Sequence, residues 1–144
     1  NNMANIIPFA FRGELLSGTH NFANGGNSFK IALYTSFAAY STGSTVYQTT
    51  NEVSSNNTGY TTAGKVLAGQ AVVSTGAVAT VDFTDSTLTS ATFTANSAAI
   101  YNDTNGDKLC VILDFGGNKT ATNGTFTISF PNPSTPANAI ISMA

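Results

Sequence analysis

The apolar positions in this chain recur at two spacings. Near the start, Phe11, Leu15 and Leu16 fall at helical spacing and Ser17-Gly18 ends the run, which predicts one short helix or irregular arm over 9–16. From residue 28 onward the spacing turns to alternation in short runs. Residues 28–35 (SFKIALYT) place Phe29, Ile31 and Leu33 on one face and Lys30 and Tyr34 on the other. Serial strands are predicted over 60–67, 70–74, 78–83, 91–95, 97–101, 109–115, 125–130 and 139–142. Turn chemistry separates them at Thr75-Gly76, Asp85-Ser86, Asn105-Gly106, Gly116-Gly117-Asn118 and Asn123-Gly124. Pro131, Pro133 and Pro136 bar strand pairing before the last run.

One stretch departs from half-buried alternation. In 107–115 (DKLCVILDF), Leu109, Val111, Leu113 and Phe115 are expected on one face, with Cys110 and Ile112 on the other. Both faces are apolar, so the strand is expected to be covered twice. The second cover is expected from the segment Ile6 to Leu16 or from a neighbouring subunit. Asn105-Gly106 just upstream suits a tight hairpin turn, because both residues tolerate positive φ. Between Ser36 and Tyr60 the periodicity lapses apart from a short strand near Val46-Tyr47. So long a loop in a compact domain suggests contact with a partner.

These elements predict an all-β chain, an antiparallel β-sandwich or jelly-roll-like barrel with a short N-terminal arm or helix. The expected division is an arm and turn over 1–27 and a single β domain over 28–144. The chain's 144 residues suffice for one domain with a real core.

Composition narrows the function. Charged residues make up 8% of the chain, against roughly 25% in typical domains. The surface is therefore expected to be covered by Thr, Ser, Asn, Gly and Ala, as suits a protein embedded in a large assembly. The cations Arg12, Lys30, Lys65, Lys108 and Lys119 are scattered singly and the net charge is −2, so no electrostatic footprint for nucleic acid is present. No apolar run is long enough to span a membrane as a helix, and no signal peptide is read at the N-terminus.

Candidate chemistry is sparse. His20 is the lone histidine and Cys110 the lone cysteine, which leaves a zinc site short of ligands and excludes an intrachain disulfide. Cys110, inside the most apolar strand, reads as a small core residue rather than a nucleophile. No Gly-x-Ser-x-Gly elbow accompanies His20. Asp103, Asn105 and Asp107 supply oxygens in a tight turn but lack the spacing and distal Glu of a calcium loop. Asp82 and Asp85 flank Phe83 with nothing else to make them an acid and base pair. Glycosylation patterns at Asn56, Asn102, Asn118 and Asn123 are expected by chance in a chain this rich in Asn and Thr. Most Phe fall at inward positions; Tyr34, Tyr40, Tyr47, Tyr60 and Tyr101 remain as a possible interface patch. No catalytic, metal-binding or cofactor-binding residue is assigned, and no enzymatic activity is expected.

Several stretches together resemble a family of small virion structural proteins of tailed bacteriophages. They are FKIALYTS (29–36), TNEVS (50–54), TGYTTAGK (58–65), VDF (81–83), ATFTA (91–95), AIYN (99–102), LDFG (113–116) and GTFTI (124–128), with FRGELLSGTH (11–20) as the lead-in. Thr62-Ala63 and the Pro-rich tail depart from the pattern. The resemblance implies a non-enzymatic component of the virion. The expectation is a capsid decoration or cement protein on the outer surface of the major capsid protein shell, self-associated as a trimer or other cyclic oligomer. A tail or fibre-associated module that binds host glycans is the alternative, and a cell-wall enzyme is the remotest reading.

Overall fold

The computed structural model describes residues 5–130 and 141–143. Among these residues one short helix and seven strands follow in order: α1 (Phe9–Leu16), β1 (Phe29–Tyr34), β2 (Lys65–Val66), β3 (Ala71–Thr75), β4 (Val78–Asp82), β5 (Ser86–Asn102), β6 (Lys108–Ile128) and β7 (Ile141–Met143). A 3-10 turn occupies Phe37–Ala39. The fold is all-β and antiparallel, in two sheets with strand orders β2-β1-β5-β6 and β3-β4-β7. The expected sandwich-like β architecture with a short N-terminal helix is what forms. Pro131 to Pro136 and the first part of the predicted last strand lie outside the described residues.

The main core lies on one face of the larger sheet. Phe29, Ile31 and Leu33 of β1, Ala98 and Ile100 of β5, and Val111 and Leu113 of β6 meet Val81, Phe83 and Ile141 there. Phe11 of α1 and Phe22 close the same core from the arm, with Phe22 stacked on Phe29 at 4.4 Å. Phe11 is the one buried side chain of α1. Burial of such a ring is worth roughly 2–3 kcal/mol and attaches the helix.

A second, smaller core covers the opposite face. Ala32, Tyr34, Ala99, Tyr101, Leu109 and Ile112 pack there under Tyr40, with Ile6, Phe37 and Tyr47 at the margin. The doubly apolar strand is therefore covered twice, as expected, but the second cover comes mainly from Phe37, Tyr40 and Tyr47 of the 36–60 loop, with Ile6 of the expected N-terminal segment beside them, and the faces divide differently. Tyr101 pairs with Leu109 and Ile100 with Val111, which leaves Cys110 as an extra residue on β6. This β-bulge reverses the alternation at one step. Leu109 joins Ile112 in the smaller core, while Cys110 joins Val111 and Leu113 in the main one. The expected grouping of Cys110 with Ile112 is thus corrected.

Other expectations are corrected by the same two strands. The predicted strands 91–95 and 97–101 are one strand, β5, and 109–115 and 125–130 fuse into the long β6. Gly116-Gly117-Asn118 and Asn123-Gly124, expected to be turns, are irregularities within β6. Ala95 pairs with Lys119 but Ser97 with Asp114, so the residues between bulge out, with Gly116 and Gly117 at positive φ. Asn123 at φ 46° and Ser90 at φ 51° mark further register shifts that leave the ladder intact. The hairpin turn near Asn105-Gly106 is present, but positive φ falls one residue later, on Gly106 and Asp107. Of the predicted strand 60–67 only Lys65–Val66 pairs, with β1.

Candidate functional site

Two polar constellations sit against the long β5–β6 hairpin. The first joins three distant parts of the chain. Asn102 is fully buried at the end of β5. Its Oδ1 accepts from the backbone N–H of Thr104 and Asn105, each at 3.1 Å, which fixes the amide orientation. Nδ2 therefore points to the arm, toward the Thr19 carbonyl at 3.2 Å, His20 Nδ1 at 3.0 Å and Asn27 Oδ1 at 3.1 Å. With Nδ1 accepting, His20 donates from Nε2 to Glu14 Oε1 at 2.8 Å. Cys110 Sγ lies 3.7 Å from Nδ1. Lys108 approaches the other Glu14 oxygen at 3.9 Å, a long, partly exposed contact worth little on its own.

Cysteine, histidine and glutamate in contact resemble a nucleophile, base and orienting group. The surroundings oppose that chemistry. Cys110 is fully buried, and burial pushes its thiol well above the usual range, further raised by Glu14, so the reactive thiolate is disfavoured. The Nδ1 lone pair is occupied by Asn102, and Phe11, Phe22 and Phe29 pack around the ring. The cluster clamps arm, turn and sheet together. Asn105 adds a bond from Nδ2 to the Thr19 carbonyl at 2.6 Å.

The second constellation is the loop 36–60. It lies along the smaller core rather than projecting from the molecule. Single bridges pair Val46 with Lys108 and Glu52 with Tyr34. The Glu52 carboxylate is its hub. Oε1 accepts from the Tyr47 hydroxyl at 2.6 Å; Oε2 accepts from the Tyr60 hydroxyl at 2.5 Å and from Ala63 N–H at 2.8 Å. Tyr60 Oη also accepts from Leu33 N–H at 3.1 Å. Tyr34 and Tyr40 share a hydroxyl contact at 2.5 Å, and Tyr34 donates to the Gln48 carbonyl at 2.6 Å. Tyr47 stacks on Tyr101, which donates to the Ala63 carbonyl. Thus all five tyrosines of the chain serve this one cluster, four of them buried and Tyr47 half-buried. Burial raises each hydroxyl above its ordinary titration range. The negative charge of Glu52 adds to this at all five.

The remaining sequence candidates stay apart. Asp103 is exposed in the hairpin turn, and Asp85 Oδ1 accepts from Phe130 N–H at 3.0 Å. Among the described residues no group of three or more His, Cys, Asp or Glu could hold a metal ion. No described helix is long and apolar enough to cross a membrane. Asn102, one of the glycosylation patterns, is buried; Asn56, Asn118 and Asn123 are exposed.

The outer face of the distal β5–β6 ribbon is lined by hydroxyls. Leu88, Ala91, Phe93, Ala95, Ala121, Phe126 and Ile128 turn inward to the main core. Thr92, Thr94, Thr120 and Thr127 are exposed, and Thr94 and Thr120 touch across the strands at 2.8 Å. Sequence reasoning identified the β-branched alternation but not that the strands form one continuous surface. Comparison with family models, curated proteins and solved structures returns no match.

Proposed function

We propose that this chain is a non-enzymatic structural component of a tailed-bacteriophage virion, a decoration protein that binds the outer surface of the major capsid protein shell and cements it. The observation that carries the reading is the exposed threonine face on the distal part of the β5–β6 ribbon, with Thr92 and Thr94 on β5 and Thr120 and Thr127 on β6. It is suited to broad polar contact with a repeating surface. The resemblance of residues 28–130 to small virion proteins supports it. Copies that bind only the mature shell stabilise it by mass action, and many equivalent sites multiply the effect.

The test is made on intact particles. Hundreds of copies per virion, and lower resistance to heat or low salt once the protein is removed, are the expected results. A few copies per particle would place it on the tail instead, and unchanged particle stability would sink the cementing role.

A further inference from the structure

We infer that the outer edge of β3 is a self-pairing surface, through which two copies of this chain join antiparallel about a two-fold axis at Val73. The inference stands independently of the virion reading. Among the described residues β3 is the terminal strand of its sheet. The loop Gly76–Ala77 joins it to β4, with Thr75 opposite Val78 and Gly76 at φ 63°. In a two-residue hairpin the residues flanking the loop exchange both backbone hydrogen bonds. The alternation then turns the backbone N–H and C=O groups of Thr75, Val73 and Ala71 toward β4. Thr80 Oγ1, which donates to the Val73 carbonyl at 3.1 Å, agrees with that orientation. The N–H and C=O of Val72 and Ser74 consequently point outward, and no backbone bond from the described residues takes them.

The other long edge is guarded. On β6, Ile112 exchanges backbone bonds with Ile6 at 2.9 and 2.8 Å, Leu109 N–H reaches the Thr45 carbonyl, and Asn5 Oδ1 accepts from Asp114 N–H. β2 is two residues long and carries Lys65. Natural edges are protected by such devices, or by charge, proline or a bulge. Among the described residues β3 has none: its sequence is AVVST and its register with β4 is unbroken. Val72 is 53% exposed beside an apolar cavity of about 260 Å³ lined in part by Phe22, Val81 and Ile141.

The occupant is a second copy because the edge is its own complement. About Val73, the outward groups of Val72 meet those of Ser74 in the other copy, and the reverse, giving about four hydrogen bonds with no like charges opposed. So short a seam buries little area, so the pair is weak in solution and strengthens when copies are held side by side.

Two measurements on the full chain test this. In the wild-type protein, hydrogen exchange followed by NMR should show protection that rises with protein concentration at the Val72 and Ser74 amides and not at the Val73 amide. Separately, Val73→Cys, Val72→Cys and Ser74→Cys are oxidised with copper phenanthroline. Val73→Cys should form covalent dimer at least ten-fold faster, because in this register only residue 73 faces its own copy within disulfide reach. Buried Cys110 serves as the unreactive background. Concentration-independent exchange at Val72 and Ser74 would overturn the inference. So would equal linking at all three positions, or faster linking at 72 or 74, which would indicate random collision or another register.

Discussion

Glu52 and Tyr60 are bound to one another at 2.5 Å, and through that contact the loop 36–60 is bound to the sheet. Tyr60 passes the connection on to the Leu33 amide, and Glu52 passes it to Tyr47 and Ala63. Glu52→Ala removes the common acceptor and leaves three donors unpaired. A hydrogen bond to a charged group is worth about 1.5–3 kcal/mol, so a loss of about 3 kcal/mol is expected, with Glu52→Gln costing roughly half. Urea unfolding checks it; an unchanged midpoint for Glu52→Ala would show that the carboxylate does not hold the loop.

Alkaline titration reports the same cluster. Tyrosine in an unfolded chain titrates near pH 10, and all five are raised in the folded protein, burial being the largest cause. The stability they contribute is therefore complete below about pH 10 and is lost as pH rises through the folded-state values. Absorbance at 295 nm should stay flat through the ordinary tyrosine range and then rise together with loss of the β signal in circular dichroism. A normal tyrosine titration in protein that remains folded would contradict the clustering.

Asn102 is the joint between arm, turn and sheet. Asn102→Ala removes the acceptor of Thr104 and Asn105 N–H and the donor to His20 in one step. The expected cost is about 2–4 kcal/mol. The same change should expose Cys110 to thiol reagents, which in the wild-type protein react only on unfolding. Equal labelling rates for the two proteins would rule out the clamp.

Two glycines should respond in opposite directions. Gly64 has φ 88°, and an added Cβ would stand 2.0 Å from the Ile31 carbonyl oxygen, so Gly64→Ala is expected to cost about 3 kcal/mol or more. Gly13 lies inside α1 with open space around it, and Gly13→Ala should add about 0.5–1 kcal/mol. Thermal melts of the two variants on either side of the wild type are the expected result.

Which parts of this were legible in the sequence follows from how local their causes are. Helix α1 and strands β1, β3 and β4 stand close to where periodicity and turn residues place them, because each depends on its own residues. The length of β5 and β6 was hidden because glycine and asparagine that would end a strand also serve as bulges within one. Nothing near Asn102 or Cys110 announces a bulge or a histidine 82 and 90 residues away. The tyrosines carried a partial signal. Tyr34 and Tyr101 share strands with core residues of opposite parity, so a second covered face could be inferred, but not that the long loop would cover it.

The extra residue at Cys110 has a consequence for how the molecule comes apart. Leu109 and Cys110 are adjacent in the chain yet belong to different cores, and β1, β5 and β6 each feed both. Sliding β6 by one position against β5 would withdraw side chains from the two interiors at once. Unfolding should therefore proceed as a single transition, with the two interiors lost together.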